Sequence, residues 1–122
     1  MTLFDIFNAV KERFPNTDIK EVCQLVNELE SRLVSEIFSP HGIAVRTQRL
    51  NEETDTYTPL LLEEENILLY VYFSFSILSL KEMDFEAANA YSTAFNQKFS
   101  ELSTLYRRNY TPIKNVQLSG GV

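Results

Sequence analysis

Side chains that could act as catalysts or metal ligands are few in this 122-residue chain, which contains one histidine and one cysteine. His41 stands between a proline and a glycine, and Cys23 lies on the flank of a helical stripe. A metal site needs several ligands together, and a Cys–His couple needs a third group that orients the base. We therefore interpret His41 as a turn residue and Cys23 as a small core residue.

Two acidic runs are the remaining candidates for metal chemistry. Glu52, Glu53 and Asp55 form the first run, and residues 63–65 form the second. Both lack the glycine and the ligand spacing of a calcium loop. The first is better explained as a solvated loop. The second is better explained as a helix start, where carboxylates complement the positive end of the helix dipole.

Motifs of common enzymes are missing from the sequence. The chain has no glycine-rich phosphate loop, no HExxH and no CxxC. We therefore expect a protein that is not an enzyme, with no catalytic residues, no cofactor and no metal.

The composition is that of one folded helical domain. Hydrophobic residues make up 44% of the chain and charged residues 23%, as in ordinary globular proteins. Only three glycines occur, and two of them, Gly120 and Gly121, lie at the end of the chain. So few breakers favour long helices over a β fold with many turns. We expect a single domain over residues 1–112 and an extended tail over residues 113–122.

Charge and cysteine content narrow the choice of partners and compartment. The formal net charge is −6 and the 11 basic residues are dispersed, whereas a nucleic-acid interface usually shows a basic patch. A single cysteine cannot form an intramolecular disulfide, which suits a reducing compartment. The longest apolar run, residues 67–80, is shorter than the roughly 20 residues that span a membrane, and no secretory signal is visible.

Apolar residues recur at helical spacing in four segments. They predict helices over residues 2–13, 18–38, 63–80 and 84–109. The third helix is apolar nearly all round, which is typical of a helix buried on more than one side. The short connection after it predicts that the third and fourth helices form an antiparallel hairpin.

Helix starts and stops agree with these segments. Thr2 with Asp5, and Asp18 with Glu21, have the spacing of N-terminal capping boxes. Pro15 ends the first helix because the residue before a proline disfavours helical dihedral angles.

The segment between the second and third helices, residues 40–61, has a different pattern. Ile43, Val45 and Thr47 alternate with their neighbours at the period of a strand. A polar turn over residues 51–55 separates them from a possible partner strand at 57–60. We predict either a β-hairpin-like arm or an extended loop here, within an all-α fold of four helices.

Aromatic residues are numerous, with six tyrosines and nine phenylalanines. We assign Phe95, Phe99 and Leu102 of the fourth helix to the core. The remainder exceeds what one small core usually holds, and aromatic residues are enriched at interfaces. We therefore predict a subunit interface on the third helix at Tyr70, Tyr72, Phe73 and Phe75.

The order of these features resembles a known family. The residues that carry the resemblance are Arg13-Phe14-Pro15-Asn16, Val26-Asn27-Glu28-Leu29-Glu30, Glu36-Ile37, His41-Gly42, Leu69-Tyr70-Val71-Tyr72, Asn89-Ala90-Tyr91-Ser92-Thr93-Ala94-Phe95-Asn96 and Tyr106-Arg107-Arg108-Asn109-Tyr110-Thr111-Pro112. Over about residues 2–113 the chain resembles the small head–tail connector (adaptor, or head completion) proteins of tailed bacteriophages with long non-contractile tails. It departs from the family's frequent Trp before Leu-Asn-Glu-Leu and from its Pro-Tyr pair at the start of the third helix.

The resemblance implies a structural protein of the virion neck, assembled in the host cytoplasm. Such subunits form a ring, typically twelvefold, beneath the capsid portal protein. The ring extends the DNA channel and offers a platform to the stopper or tail-terminator protein. DNA passes through it without specific binding, and no membrane is involved.

Ring closure requires a heterologous interface, in which one patch meets a different patch on the neighbouring subunit. The apolar third helix and the loop 43–59, in particular Ile43, Val45 and Tyr57, are the candidates. For docking onto the portal, the candidate residues lie in the C-terminal tail, where an extended segment can add a strand to a sheet edge. They are Tyr110, Pro112, Ile113, Val116 and Leu118.

Two other functions remain open at this stage. A small terminase-like DNA-packaging subunit would need a helix-turn-helix with basic recognition residues. Residues 16–18 could form its turn, but the helix that follows carries only Lys20 and Arg32 against four glutamates. The other alternative is a helical regulatory protein that binds a single partner.

Overall fold

A computed structural model describes residues 1–46 and 48–109 of the chain. Four α-helices follow one another: α1 (Leu3–Arg13), α2 (Ile19–Leu33), α3 (Ile67–Lys81) and α4 (Phe85–Asn109). No strand occurs among the described residues, so the predicted all-α fold class is confirmed.

Capping side chains begin the first two helices as predicted. The Thr2 hydroxyl accepts a hydrogen bond from the backbone N–H of Asp5, and the Asp5 carboxylate accepts one from the N–H of Thr2 at 2.9 Å. At α2, the Asp18 carboxylate accepts from the N–H of Glu21 at 2.8 Å. These bonds satisfy backbone donors that have no partner within the helix.

α2 does not stop abruptly. It continues through a π-helical turn at Val34–Phe38 and a 3-10 turn at Ser39–His41. Gly42 then adopts φ 69°, the left-handed conformation that ends many helices and that glycine reaches without steric cost. His41 is thus part of a turn, half-buried, in agreement with its predicted role.

α3 and α4 form the predicted antiparallel hairpin. A short 3-10 turn at Glu64–Asn66 leads into α3, and residues 82–84 connect α3 to α4. Met83 in this connection has φ 59°, a conformation that costs a residue with a side chain. The Asp84 carboxylate accepts from the N–H of Ala87 at 3.1 Å and so caps α4.

The core lies where α3 meets the other three helices. α1 and α2 contribute a layer of fully buried aliphatic side chains, among them Leu3, Ile6, Leu29 and Leu33. α4 contributes Phe95, Phe99 and Leu102, which are buried as predicted. α3 packs against α1, α2 and α4. Its nearly uniform apolar character suits a helix with neighbours on several sides.

Within residues 43–61, the described residues form the predicted alternative, an extended loop, and contain no β-hairpin-like arm. In the described part of this segment the only strand-like pairing is an isolated antiparallel bridge between Thr2 and Pro59. The N–H of Leu60 donates to the Met1 carbonyl at 2.9 Å, and the N–H of Phe4 donates to the Thr56 carbonyl at 3.1 Å. The second half of the loop therefore pairs with the start of α1 instead of with its own first half.

Candidate functional site

Two polar side chains of α2, Asn27 and Glu30, are buried. They contact the extended loop that connects α2 to the turn before α3, which we call the loop 43–62. Glu30 is only 4% exposed. The apolar spacing that predicts α2 gives no sign of this burial, because it contains only hydrophobic residues. A buried carboxylate requires several hydrogen bonds or an ion pair, and Glu30 has both.

Asn27 holds the first half of the loop at one residue. Its side-chain oxygen accepts from the N–H of Leu50 at 2.8 Å, and its side-chain nitrogen donates to the Leu50 carbonyl at 3.0 Å. The Cys23 thiol, one turn earlier, donates to the same carbonyl at 3.4 Å. These three bonds satisfy the N–H and the carbonyl of Leu50, which is buried and has no strand partner among the described residues.

Glu30 holds the second half of the loop. One carboxylate oxygen accepts from the N–H of Leu61 and from the Tyr70 hydroxyl, both at 2.7 Å. The other oxygen pairs with the Arg46 guanidinium at 2.8 Å. The Tyr70 hydroxyl also accepts from the N–H of Leu62 at 3.3 Å. A single carboxylate thus joins α2, α3 and both halves of the loop.

The environment of this network favours a neutral tyrosine. Burial, together with the negative charge of Glu30 and the hydrogen bond to it, raises the pKa of Tyr70 far above its ordinary value. Its hydroxyl therefore remains a donor to Glu30 at physiological pH. Burial also raises the pKa of the Cys23 thiol, with a further contribution from the nearby carboxylates of Glu52 and Asp55.

A cavity of about 280 Å³ opens beside this network, between α2 and the loop. It is lined by Asn27, Glu30, Ser31, Val34, Ser35, Ser39, Arg46, Gln48, Arg49 and Leu61. Three of these lining residues already have partners within the chain, since Asn27 bonds to the backbone of Leu50 and Glu30 pairs with Arg46. These bonds stabilise the loop 43–62 against α2. Among the lining residues of this cavity, no nucleophile is hydrogen-bonded to a base.

The aromatic residues predicted for a subunit interface are largely used within the chain. Tyr70 is buried in the Glu30 network, so its assignment to a subunit interface is wrong. The physical reason is that α3 passes directly over α2, and Glu30 needs the hydroxyl as a donor.

The other three aromatic residues of α3 pack against neighbouring helices and are partly buried. Tyr72 stacks on Tyr91 of α4 with ring centroids 6.3 Å apart, and Phe73 contacts Phe95 at 5.3 Å. Phe75 contacts Tyr91 at 5.0 Å and also Phe14, after α1, at 5.4 Å. Much of the aromatic excess therefore joins α3 to α1 and α4.

The three loop residues that the sequence predicts for the subunit interface differ in how much of their side chains is exposed. Ile43 and Val45 are partly buried against the core. Tyr57 is largely exposed and its ring lies 5.4 Å from that of Phe4 at the start of α1. The predicted docking residues Tyr110, Pro112, Ile113, Val116 and Leu118 lie outside the described residues.

Sequence reasoning missed two exposed apolar patches, one at each end of the α3–α4 hairpin. Leu80, Met83 and Phe85 form the first patch, around the connection; we call it the hairpin tip. Leu68 of α3 and Leu105 of α4 form the second, at the opposite end; we call it the open end. A signal was present, since residues 80–85 place three large apolar residues at a turn, where polar residues are usual.

Other kinds of site find no support in the described part of the chain. No group of three or more His, Cys, Asp or Glu side chains there is arranged to hold a metal ion. Likewise, no helix among residues 1–46 and 48–109 is long and apolar enough to cross a membrane.

Comparison of the chain with protein-family models, with curated proteins and with solved structures finds no match. The resemblance to head–tail connectors therefore rests on the residues quoted for it above.

Proposed function

We propose that this chain is a structural subunit of a ring adaptor in the neck of a tailed bacteriophage. The ring lies between the capsid portal and the stopper or tail-terminator protein and extends the channel for DNA. The order of sequence features over residues 2–113 is the first support for this function.

The observation that carries the proposal is the presence of two different exposed apolar patches at opposite ends of one helical hairpin. Met83 at the tip is 72% exposed and Leu105 at the open end is 50% exposed. The 15 residues of α3 separate the two ends by about 20 Å at 1.5 Å per residue. A ring subunit requires two non-identical patches of this kind, because each copy contacts one neighbour on either side.

A second support is the way the loop 43–62 is held. Asn27 and Glu30 anchor it at Leu50 and Leu61, so the loop is presented as part of a defined surface. Adaptor subunits work through such surfaces and not through chemistry, and a defined loop loses little conformational entropy when a partner binds.

Native mass spectrometry of the chain, alone and mixed with the portal protein of the same phage, tests the proposal. We expect a closed oligomer of a single copy number in at least one condition. A chain that stays monomeric in both conditions would overturn the proposal. Salt-dependent binding to DNA fragments by that monomer would instead favour the terminase-like alternative.

A further inference from the structure

We propose that the cavity between α2 and the loop 43–62 binds a small organic carboxylate, a molecule with one negatively charged group and a short apolar part. This binding site goes beyond the proposed ring and does not depend on it. The cavity has a volume of about 280 Å³ and lies beside Asn27 and Glu30. A cavity of about 150 Å³ accepts a benzene ring, so this one has room for a ring and a carboxylate.

One wall of the cavity is a single face of α2 and of the turns that continue it. Ser31, Ser35 and Ser39 line this wall at intervals of four residues, with the π-helical turn Val34–Phe38 among them. Such turns are frequent at functional sites. The Ser35 hydroxyl donates to the Arg32 carbonyl at 3.3 Å, but those of Ser31 and Ser39 have no hydrogen-bond partner among the described residues. Two hydroxyls are therefore available as donors to a ligand.

The opposite wall belongs to the loop and carries two arginines. Arg46 donates to the Glu30 carboxylate at 2.8 Å and to the Gln48 carbonyl at 2.9 Å. Arg49 is exposed, and its guanidinium forms no ion pair and no hydrogen bond with another described residue. A guanidinium has five N–H donors in a planar fork that matches the two oxygens of a carboxylate. Arg49 presents that fork unused.

The charges of the lining sum to one positive charge, although the whole chain carries −6. Arg46 and Arg49 supply two positive charges, and Glu30 is the acidic member of the lining. Both Glu30 oxygens already accept hydrogen bonds within the chain, and Arg46 balances the negative charge. A surplus of one positive charge matches a carboxylate better than a phosphate group, which carries nearly two negative charges.

A carboxylate of the chain itself also lies in this region. Asp55 and Arg49 both line an adjoining cavity. The Asp55 oxygens accept from the N–H of Asn51 at 2.7 Å and from the Thr58 hydroxyl at 3.4 Å. No ion pair joins Asp55 to Arg49 in the described structure. Arg49 thus remains available to a ligand.

The cavity also offers an apolar surface beside these donors. Val34 of the π-helical turn and Leu61 of the loop line it and are partly buried against the core. Ligand cavities usually combine apolar walls with a few polar groups that fix the orientation of the ligand. We expect the carboxylate to contact Arg49 and the apolar part to cover Val34 and Leu61. The bound molecule then joins the loop to α2.

Phenylacetate is the probe, because it attaches a benzene ring to a carboxylate. Saturation-transfer NMR on the full chain measures its binding to monomers and oligomers alike. We expect a dissociation constant of about 1–10 mM for a ligand of this size. Phenylacetamide has nearly the same shape without the charge and should bind at least about tenfold more weakly. Equal binding of the two compounds, or no binding of phenylacetate, would overturn the inference.

Arg49→Gln and Arg108→Gln form a matched pair of variants. Each removes one positive charge from an exposed side chain, so both should fold, which circular dichroism checks. Arg49→Gln should weaken phenylacetate binding by about tenfold, the lower end for hydrogen bonds to charged groups, because Arg49 is exposed. Arg108 does not line the cavity, so its variant should bind as the wild type does. Equal weakening would show that the ligand responds only to net charge, against this site.

Ser35→Glu tests the other wall. It adds a carboxylate to the lining, which repels the ligand and supplies Arg49 with a partner from within the chain. Binding of phenylacetate should be lost, whereas Ser100→Glu, at an exposed position of α4, should leave it unchanged. Retained binding in Ser35→Glu would contradict the site. Ring formation is measured separately by native mass spectrometry, so a chain that binds no phenylacetate but forms a ring overturns this inference alone.

Discussion

The carboxylate of Glu30 accepts a hydrogen bond from the Tyr70 hydroxyl at 2.7 Å, across 40 residues of sequence. The same oxygen accepts from the backbone N–H of Leu61 at 2.7 Å, and the second oxygen pairs with Arg46. One buried residue thus contacts α3 and both halves of the loop 43–62 from its place on α2.

Glu30→Ala should destabilise the fold by about 3–5 kcal/mol, because it leaves Arg46, Tyr70 and the N–H of Leu61 without their acceptor. Urea denaturation of the wild type and the variant measures the free energy of unfolding. Glu28→Ala, on the exposed side of the same helix, is the matched control and should change it by less than about 0.5 kcal/mol. Equal effects of the two substitutions would contradict a structural role for Glu30.

Stability should fall at alkaline pH through Tyr70. Its pKa is raised in the folded state, so the folded protein holds the phenol proton more tightly than the unfolded chain does. The resulting stability is complete below the unfolded pKa of about 10 and is lost above it, by about 1.4 kcal/mol per pH unit.

Urea unfolding of the wild type and of Tyr70→Phe between pH 9 and 11 measures this effect. The variant has no proton to lose at this site, so its stability should decline less steeply. The remaining tyrosines titrate in both proteins and cancel in the comparison. Parallel pH profiles would show that the Tyr70 hydroxyl is not buried against Glu30.

Asn27→Ala should release the first half of the loop. The N–H and carbonyl of Leu50 would lose their side-chain partners, at a cost of about 1–3 kcal/mol for buried groups. Hydrogen exchange at the Leu50 amide should accelerate, while exchange at the Leu29 amide within α2 should change only by the loss of global stability. Gln24→Ala, at an exposed position of α2, is the control and should leave the Leu50 amide protected.

The Cys23 thiol should react slowly with aromatic disulfide reagents at neutral pH. It is buried under Leu50, and its raised pKa keeps the thiolate scarce. The reaction should accelerate in Asn27→Ala, because the loop that covers the thiol opens more often. Tyr57→Cys supplies an exposed thiol in the same chain as an internal reference. Equal rates at the two cysteines in the folded protein would rule out the described burial.

Local patterns were sufficient to predict the helices. The spacing of apolar residues predicts all four, and the Thr2 and Asp18 caps begin the first two, because both signals act within a few residues of sequence. The apolar character of α3 likewise predicts its burial between neighbours, and residues 81–84 predict the antiparallel turn. Phe95, Phe99 and Leu102 are identified as core residues for the same reason.

The candidate surfaces depended on contacts between distant residues. The strand-like alternation of residues 43–48 is a local signal, but the described part of the loop contains no hairpin. Its second half pairs with the start of α1, and Asn27 and Glu30 bond its backbone at Leu50 and Leu61. Tyr70 resembles an interface residue until Glu30 is found beneath its hydroxyl.

The exposed patch of Leu68 and Leu105 becomes visible only when the hairpin is assembled, because these two residues are far apart in the sequence. Sequence alone determined which segments are helical and which apolar residues of α4 form its part of the core. Tertiary structure decided which polar side chains enter the core and which apolar ones remain outside, since both depend on partners that are far apart in the chain.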